Sequence, residues 1–129
     1  MKATIQFIRK KNLKAALHER RKMRVRKKVD GDSATPRLSV FKSARHIYVR
    51  AIDDTTGATL ATASTVDKEL KADLQGQKKV DAAAKVGALL GQRLKDKGVN
   101  KARFDRNGFR YRGRVAALAT AVREAGLEF

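Results

Sequence analysis

The 129-residue chain has no cysteine. That excludes a disulfide-stapled scaffold and any thiolate metal site, and it suits a reducing cytosol. No apolar run approaches the roughly 20 residues that a membrane-spanning helix needs. The start does not resemble a secretory signal, because Ile5-Gln6-Phe7-Ile8 is short and charges follow at once. It is Lys-rich and almost free of serine, unlike an organelle transit peptide, so the chain reads as cytoplasmic with no membrane partner. Proline occurs once, at Pro36, and acidic groups are scarce: 13 Asp+Glu stand against 31 Lys+Arg. The two histidines, His18 and His46, have no partner at i+3 or i+4, so zinc-type spacing is missing. No phosphate-cradling glycine loop, nucleophile elbow or dinucleotide fingerprint is present. These absences argue against an enzyme and against a metal or cofactor.

What the chain has in excess is positive charge. The formal net charge is +18 and the isoelectric point is near 10.9, the electrostatic footprint of a nucleic-acid binder. The excess is concentrated at the start. Arg20-Arg21-Lys22-Met23-Arg24-Val25-Arg26-Lys27-Lys28 holds seven cations and no anion. Residues 1–30 carry 12 basic and 2 acidic side chains, a net of +10, which leaves +8 for the other 99 residues. Residues 1–35 therefore read as a basic arm and linker, and residues 36–129 as a globular domain long enough for a core. Leu13 to Val29 is compatible with a helix. Its few apolar residues cannot offset the entropy of ordering it, so it is expected to be disordered alone and helical on its partner. Asp30-Gly31-Asp32-Ser33-Ala34-Thr35-Pro36 reads as a linker or turn.

Within the globule the spacing predicts an α+β fold in the order β-β-β-α-β-α. Arg37–Lys42 and His46–Ile52 alternate and are rich in strand formers, with Ser43-Ala44-Arg45 as a short hairpin connection. Asp53-Asp54-Thr55-Thr56-Gly57 is a second turn, and a third strand runs from Ala58 to about Thr65. Leu38 and Val40 fall on one face of the meander with Ile47, Val49 and Ala51; Phe41, Tyr48 and Arg50 fall on the other. After a polar stretch, Lys78 to Lys97 has helical period, with Val80, Ala83, Ala84, Gly87, Leu90 and Leu94 on one stripe and Gly98 as terminator. Gly87 and Gly91 suggest close packing of this helix onto the sheet, in preference to a dimerising face. A short fourth strand is expected over Lys101–Asp105 and a final helix over Gly113–Ala125, with Val115, Leu118, Ala119 and Val122 inward. Both helices should lie on the same face of a mixed sheet.

Two clusters outside the arm have the composition of contact surfaces. Lys42-Ser43-Ala44-Arg45-His46-Ile47-Tyr48 gathers Lys, Ser, Arg, His and Tyr around one hairpin, and Arg50 follows on the same strand. Arg106-Asn107-Gly108-Phe109-Arg110-Tyr111-Arg112-Gly113-Arg114 interleaves basic and aromatic side chains with two glycines. Structured RNA suits that mixture: cations meet phosphates, hydroxyls and amides meet 2′-OH groups, and exposed aromatics stack on bases. A helix starting near Gly113 adds free N–H groups for a phosphate. Phe109 is expected to be buried and Tyr111 to lie at the edge.

These segments carry a family resemblance. The Arg-rich arm, then Pro36-Arg37-Leu38-Ser39-Val40-Phe41-Lys42-Ser43, then His46-Ile47-Tyr48-Val49, closely resembles the bacterial large-ribosomal-subunit proteins numbered eighteen. Phe104-Asp105-Arg106-Asn107-Gly108, Tyr111-Arg112-Gly113-Arg114-Val115 and Ala119 through Phe129 resemble the closing signature of that family. Asn107 stands where a glycine is usual, and Arg112 where a histidine is usual. The resemblance implies a protein of the large ribosomal subunit that binds 5S rRNA and helps attach it to large-subunit (23S-type) rRNA in the central protuberance. Neighbouring large-subunit ribosomal proteins are then expected partners, and a homo-oligomer is not. It implies Arg20, Arg21, Lys22, Arg24, Arg26, Lys27 and Lys28 as phosphate ligands. Lys42, Ser43, Arg45, His46, Tyr48 and Arg50 would read RNA shape, and Arg106, Asn107, Arg110, Tyr111, Arg112 and Arg114 would complete the surface. Rival readings are a small-subunit ribosomal protein of similar build, a general DNA-compacting protein, and a metal-dependent nuclease using Asp53 and Asp105.

Overall fold

Periodic stretches of the sequence become elements in a computed structural model that describes residues 13–129 apart from Lys28, Lys71 and Asp73. Helix α1 spans Leu13–Arg26, followed by strands β1 (Arg37–Lys42), β2 (Ile47–Asp53) and β3 (Ala58–Ser64). Helix α2 (Lys79–Asp96), strand β4 (Arg103–Asp105) and helix α3 (Arg114–Glu124) follow. The four strands form one mixed sheet in the order β3-β2-β1-β4. β1 and β2 pair antiparallel from Arg37↔Ile52 to Lys42↔Ile47, β2 and β3 pair antiparallel, and β4 lies parallel to β1. This is the expected α+β arrangement, a three-stranded meander with a fourth strand reached across α2.

The alternation of β1 and β2 sends Leu38, Val40, Ile47, Val49 and Ala51 into one core with Val86, Leu90 and Leu94 of α2 and Val115, Leu118 and Val122 of α3. Full burial of each large aliphatic side chain contributes about 1.5–3 kcal/mol before entropy is counted. Both body helices end in the same way. After α2, Gly98 N–H donates to Lys95 O (2.9 Å) and Val99 N–H to Leu94 O (3.0 Å); after α3, Gly126 N–H donates to Arg123 O (3.0 Å) and Leu127 N–H to Val122 O (3.4 Å). Gly98 and Gly126 take positive φ, and Val99 and Leu127 tuck back into the core. These are Schellman terminations.

Four details depart from the sequence-based expectations. Gly87 and Gly91 face α3 and not the sheet: a Cβ at Gly87 would stand 2.3 Å from Leu118 O, and one at Gly91 2.4 Å from the Ala125 Cβ. The glycines let two helices touch. Val80, at the first turn of α2, is 46% exposed, and the burial is taken by Ala82 and Val86 instead. β2 begins at Ile47 because His46 closes the hairpin, its N–H donating to Ser43 Oγ (3.1 Å) while Ser43 N–H donates to its carbonyl (2.8 Å). β4 is three residues long because Lys101 and Ala102 pair with Glu128 instead.

The segment between α1 and β1 is stitched down. Gly31 is buried, its N–H donates to Asp54 Oδ2 (2.8 Å), and Asp54 N–H donates back to Gly31 O (3.1 Å). Asp32 Oδ1 accepts from Ala34 and Thr35 N–H, which turns the chain toward Pro36. Among the described residues no helix is long and apolar enough to cross a membrane.

Candidate nucleic-acid interface

Three segments far apart in sequence converge beside the edge of β1: helix α1, the β1–β2 hairpin, and the loop from Arg106 to Gly113. Between them lies an open groove of about 750 Å³. Its walls carry Lys14 and Arg21 from α1, Lys42 from β1, and Arg110, Arg112 and Arg114 from the loop and the start of α3, with Glu19 the only acid among the described residues there. Burial, followed by the charges of Arg114 and Arg112, lowers the Lys42 ammonium below its ordinary value. An ammonium half-buried beside two guanidinium groups leaves a site whose electrostatics call for an anion.

The geometry rests on aromatic and backbone contacts. Phe109 is half-buried, with the His18 ring 4.5 Å away between centroids, Phe41 at 6.2 Å edge-on, and the Lys42 ammonium 5.4 Å from its centroid. Burial first, then Arg21, with Lys22 and Lys42 adding to it and Glu19 opposing, lowers the His18 imidazole. Arg21 Nε donates to Gly108 O at 3.2 Å. Arg114 Nη1 donates to Ser43 O at 2.9 Å, tying α3 to the hairpin. Gly113 caps α3 without a side-chain hydrogen bond, leaving its first-turn N–H groups open beside Arg112 and Arg114.

Around the corner, the sheet face away from α2 and α3 presents Phe41 (54% exposed), Tyr48 and Arg50. Phe41 and Tyr48 are paired across the strands with ring centroids 6.0 Å apart, and His46 lies 6.4 Å from Tyr48. Thr62 and Ser64 pair with Arg50 and Tyr48 on β3 and line the same shallow depression. Aromatic rings, one cation and hydroxyls on an open sheet have the chemistry to stack on unstacked bases and to bond ribose hydroxyls.

A second polar network holds this frame. Arg37 donates through Nε and Nη2 to the two oxygens of Asp54 (2.9 and 3.0 Å) and through Nη1 to Asp105 Oδ2 (2.7 Å). Asp105 is fully buried, and its other oxygen accepts from Asn107 N–H at 2.8 Å. Hydrogen bonding by Arg37, partly opposed by burial, pulls Asp54 down to about 2. The pairing required by a nuclease does not form: Asp105 is joined to Arg37, while Asp53 accepts from Thr55 N–H in the β2–β3 turn.

The family model described as ribosomal L18 of archaea, bacteria, mitochondria and chloroplast matches residues 12–129. The large ribosomal subunit protein uL18 of Sorangium cellulosum is 56% identical over 117 residues, covering 91% of this chain and 98% of that protein. The uL18 proteins of Thermotoga petrophila (54% over 120 residues; 93% and 98%) and Myxococcus xanthus (54% over 110 residues; 85% and 92%) are similar in the same way. The chain belongs to the L18 family of ribosomal proteins. In this L18 protein Asn107 has φ +55. That left-handed backbone is open to glycine and, among side chains, most readily to Asn or Asp.

The L18 framework sorts the expected site residues. Arg21, Lys42, Ser43, Arg110, Arg112 and Arg114 meet at the groove. Arg20, Arg24 and Lys27 are exposed, at i, i+4 and i+7 on the side of α1 away from the half-buried His18, Lys22, Val25 and Arg26. Tyr48 and Arg50 belong to the sheet platform, and Arg45 and His46 line a small cleft with Thr65. Arg24, Arg106 and Tyr111 share another cleft with Val25 and Phe104. Tyr111 is 44% exposed, at the edge as expected, while Phe109 is only half-buried. Besides Arg21 and Arg114, which donate to Gly108 O and Ser43 O, other expected ligands make contacts within the protein. Asn107 is 7% exposed, and Arg26 Nη1 donates to Asp30 Oδ1 (2.8 Å) with Asp54 at 3.6 Å. Lys28 lies outside the described residues. Sequence reasoning missed Lys14 and His18 as groove residues; the spacing Lys14–His18–Arg21 on one helical face is the signal that marks them.

Proposed function

We propose that this L18-family constituent of the large ribosomal subunit binds 5S rRNA and helps attach it to large-subunit (23S-type) rRNA. The observation that carries this reading is the convergence of Lys14, Arg21, Lys42, Arg110, Arg112 and Arg114 on one groove, supplied by three separate segments. A surface built that way reads the shape of a folded RNA, because its cations match phosphates at fixed separations and not along a uniform duplex. The platform of Phe41, Tyr48 and Arg50 supplies stacking and 2′-OH contacts next to it. Arg20, Arg24 and Lys27, on the outward side of α1, would meet further phosphates of the large-subunit rRNA. In this reading residues 1–35 are a basic arm whose helix rests on the body over Leu13–Arg26 and is ordered further by RNA, and residues 36–129 are the domain that carries it, with neighbouring ribosomal proteins touching what RNA leaves open.

The test is competitive binding of the full chain to 5S rRNA against transfer RNA and duplex DNA of similar length, at near-physiological salt. A preference for 5S rRNA of several orders of magnitude is expected. Equal binding to all three would favour a DNA-compacting role, and preference for small-subunit rRNA a different ribosomal site.

A further inference from the structure

Helix α1 has no buried residue, yet it lies on the body in a defined register. Gly108 explains how. Its φ is +79, and a Cβ there would stand 2.8 Å from Lys22 N, 3.0 Å from His18 O and 3.1 Å from Lys22 Cα. Those are backbone atoms of a regular helix and cannot swing aside, so any larger residue would lift α1 away. Gly57 and Gly98 have nearly the same φ with nothing within 4 Å of such a Cβ, so the crowding is a property of this position and not of its backbone conformation. The carbonyl of the same glycine accepts from Arg21 Nε, and the next residue, Phe109, takes the His18 ring. A one-residue slip of α1 would set a side chain against Gly108 and turn Lys14 and Arg21 out of the groove.

We propose that Gly108 is the positioning residue that seats α1, holding Lys14 and Arg21 in one register across the groove from Lys42, Arg110 and Arg112. The seat, and not the charge of the arm, then sets the preference for one RNA over another. The inference rests on the RNA-binding reading above. An unseated arm of the same charge still attracts any polyanion through counterion release. It does so without fixed phosphate separations, so it discriminates poorly.

The experiment compares the full chain with its Gly108→Ala, Phe109→Ala and Gly57→Ala variants. Amide hydrogen exchange is followed over residues 13–26 and over α2 and α3, and affinity is measured for 5S rRNA and for transfer RNA. Gly108→Ala is expected to speed exchange over residues 13–26 and leave α2 and α3 protected. If it lowers the seated fraction to about a tenth, 5S rRNA affinity falls about tenfold, while transfer RNA affinity and its salt dependence stay the same. Phe109→Ala moves the same readouts without adding a Cβ. Gly57→Ala carries the same backbone strain and moves none of them. Exchange over residues 13–26 that is unaltered in both seat variants overturns the proposal, as does an equal loss of affinity for both RNAs. If the unmodified chain shows no preference for 5S rRNA, the 5S assignment fails, and the exchange data alone decide the seat.

Discussion

Helices α1 and α2 are regular elements of 14 and 18 residues, and they are held in opposite ways. α2 buries Ala82, Ala83, Val86, Gly87, Leu90, Gly91 and Leu94. α1 buries nothing and is attached through a glycine backbone, one arginine–carbonyl hydrogen bond, a histidine–phenylalanine contact and the ion pairs of Arg26. Apolar area, which carries no titratable group, holds α2, whereas α1 depends on a few polar and aromatic contacts in a strongly cationic region. The contrast separates folding from recognition: the body can be stable without RNA, while the arm gains most from the polyanion it meets.

The sharpest way to break the comparison is to remove the cation that supports the body from beneath the arm. Arg37→Leu leaves Asp54 and the fully buried Asp105 without their partner, and is expected to destabilise the protein by about 3–5 kcal/mol in urea unfolding. Next comes the core itself, where Leu90→Ala should cost about 2–5 kcal/mol. Against these, replacing Arg20, Arg24 and Lys27 together by Gln should change stability by only about 0.5 kcal/mol per site. The same triple substitution should flatten the log–log salt dependence of RNA binding by about 2–3, a loss the core variants do not share.

Proton binding sharpens the contrast further. Arg37, by hydrogen bonding, pulls Asp54 below its unfolded value of 3.8 to about 2, and Asp53 and Asp67 are lowered as well. A carboxyl depressed on folding contributes stability at pH values above its unfolded pKa and loses it as pH falls through its folded one. Thermal stability should therefore drop between about pH 4 and pH 2, and Asp54→Asn should flatten the drop from a lower starting value. The smallest effect belongs to the arm. His18, among Arg21, Lys22, Lys42 and Glu19, is lowered from 6.5, so its protonation disfavours the seated form. Lowering the pH through 6.5 should loosen residues 13–26 in exchange measurements while α2 and α3 stay protected.

Much of the architecture was legible because it follows from period and punctuation. Alternation in Arg37–Lys42 and the 3.6 spacing of Leu90 and Leu94 each have one physical outcome, and Gly98 ends its helix as expected. Other features depend on distant partners that a local pattern does not contain. The face that Gly87 and Gly91 present is decided by Leu118 and Ala125 on another helix. The basic run Arg20–Lys28 reads as uniform in sequence, yet Arg26 is committed to Asp30 and Asp54 while Arg20 and Arg24 stay exposed. Asn107 sits among apparent ligands and is buried because its backbone, not its amide group, is what the loop requires.

The pairing of Glu128 beside β4 carries one more consequence. Of the two outer strands, β4 is three residues long, and the backbone just before it is occupied: Ala102 N–H donates to Glu128 O, and Glu128 N–H to Asn100 O. An unoccupied border of a sheet recruits extended segments from other molecules and seeds precipitation. Trimming Leu127–Phe129 would reopen that border and uncover Phe104, which stacks on Phe129. The pairing of Glu128 thus withholds that stretch of backbone from strands of other molecules.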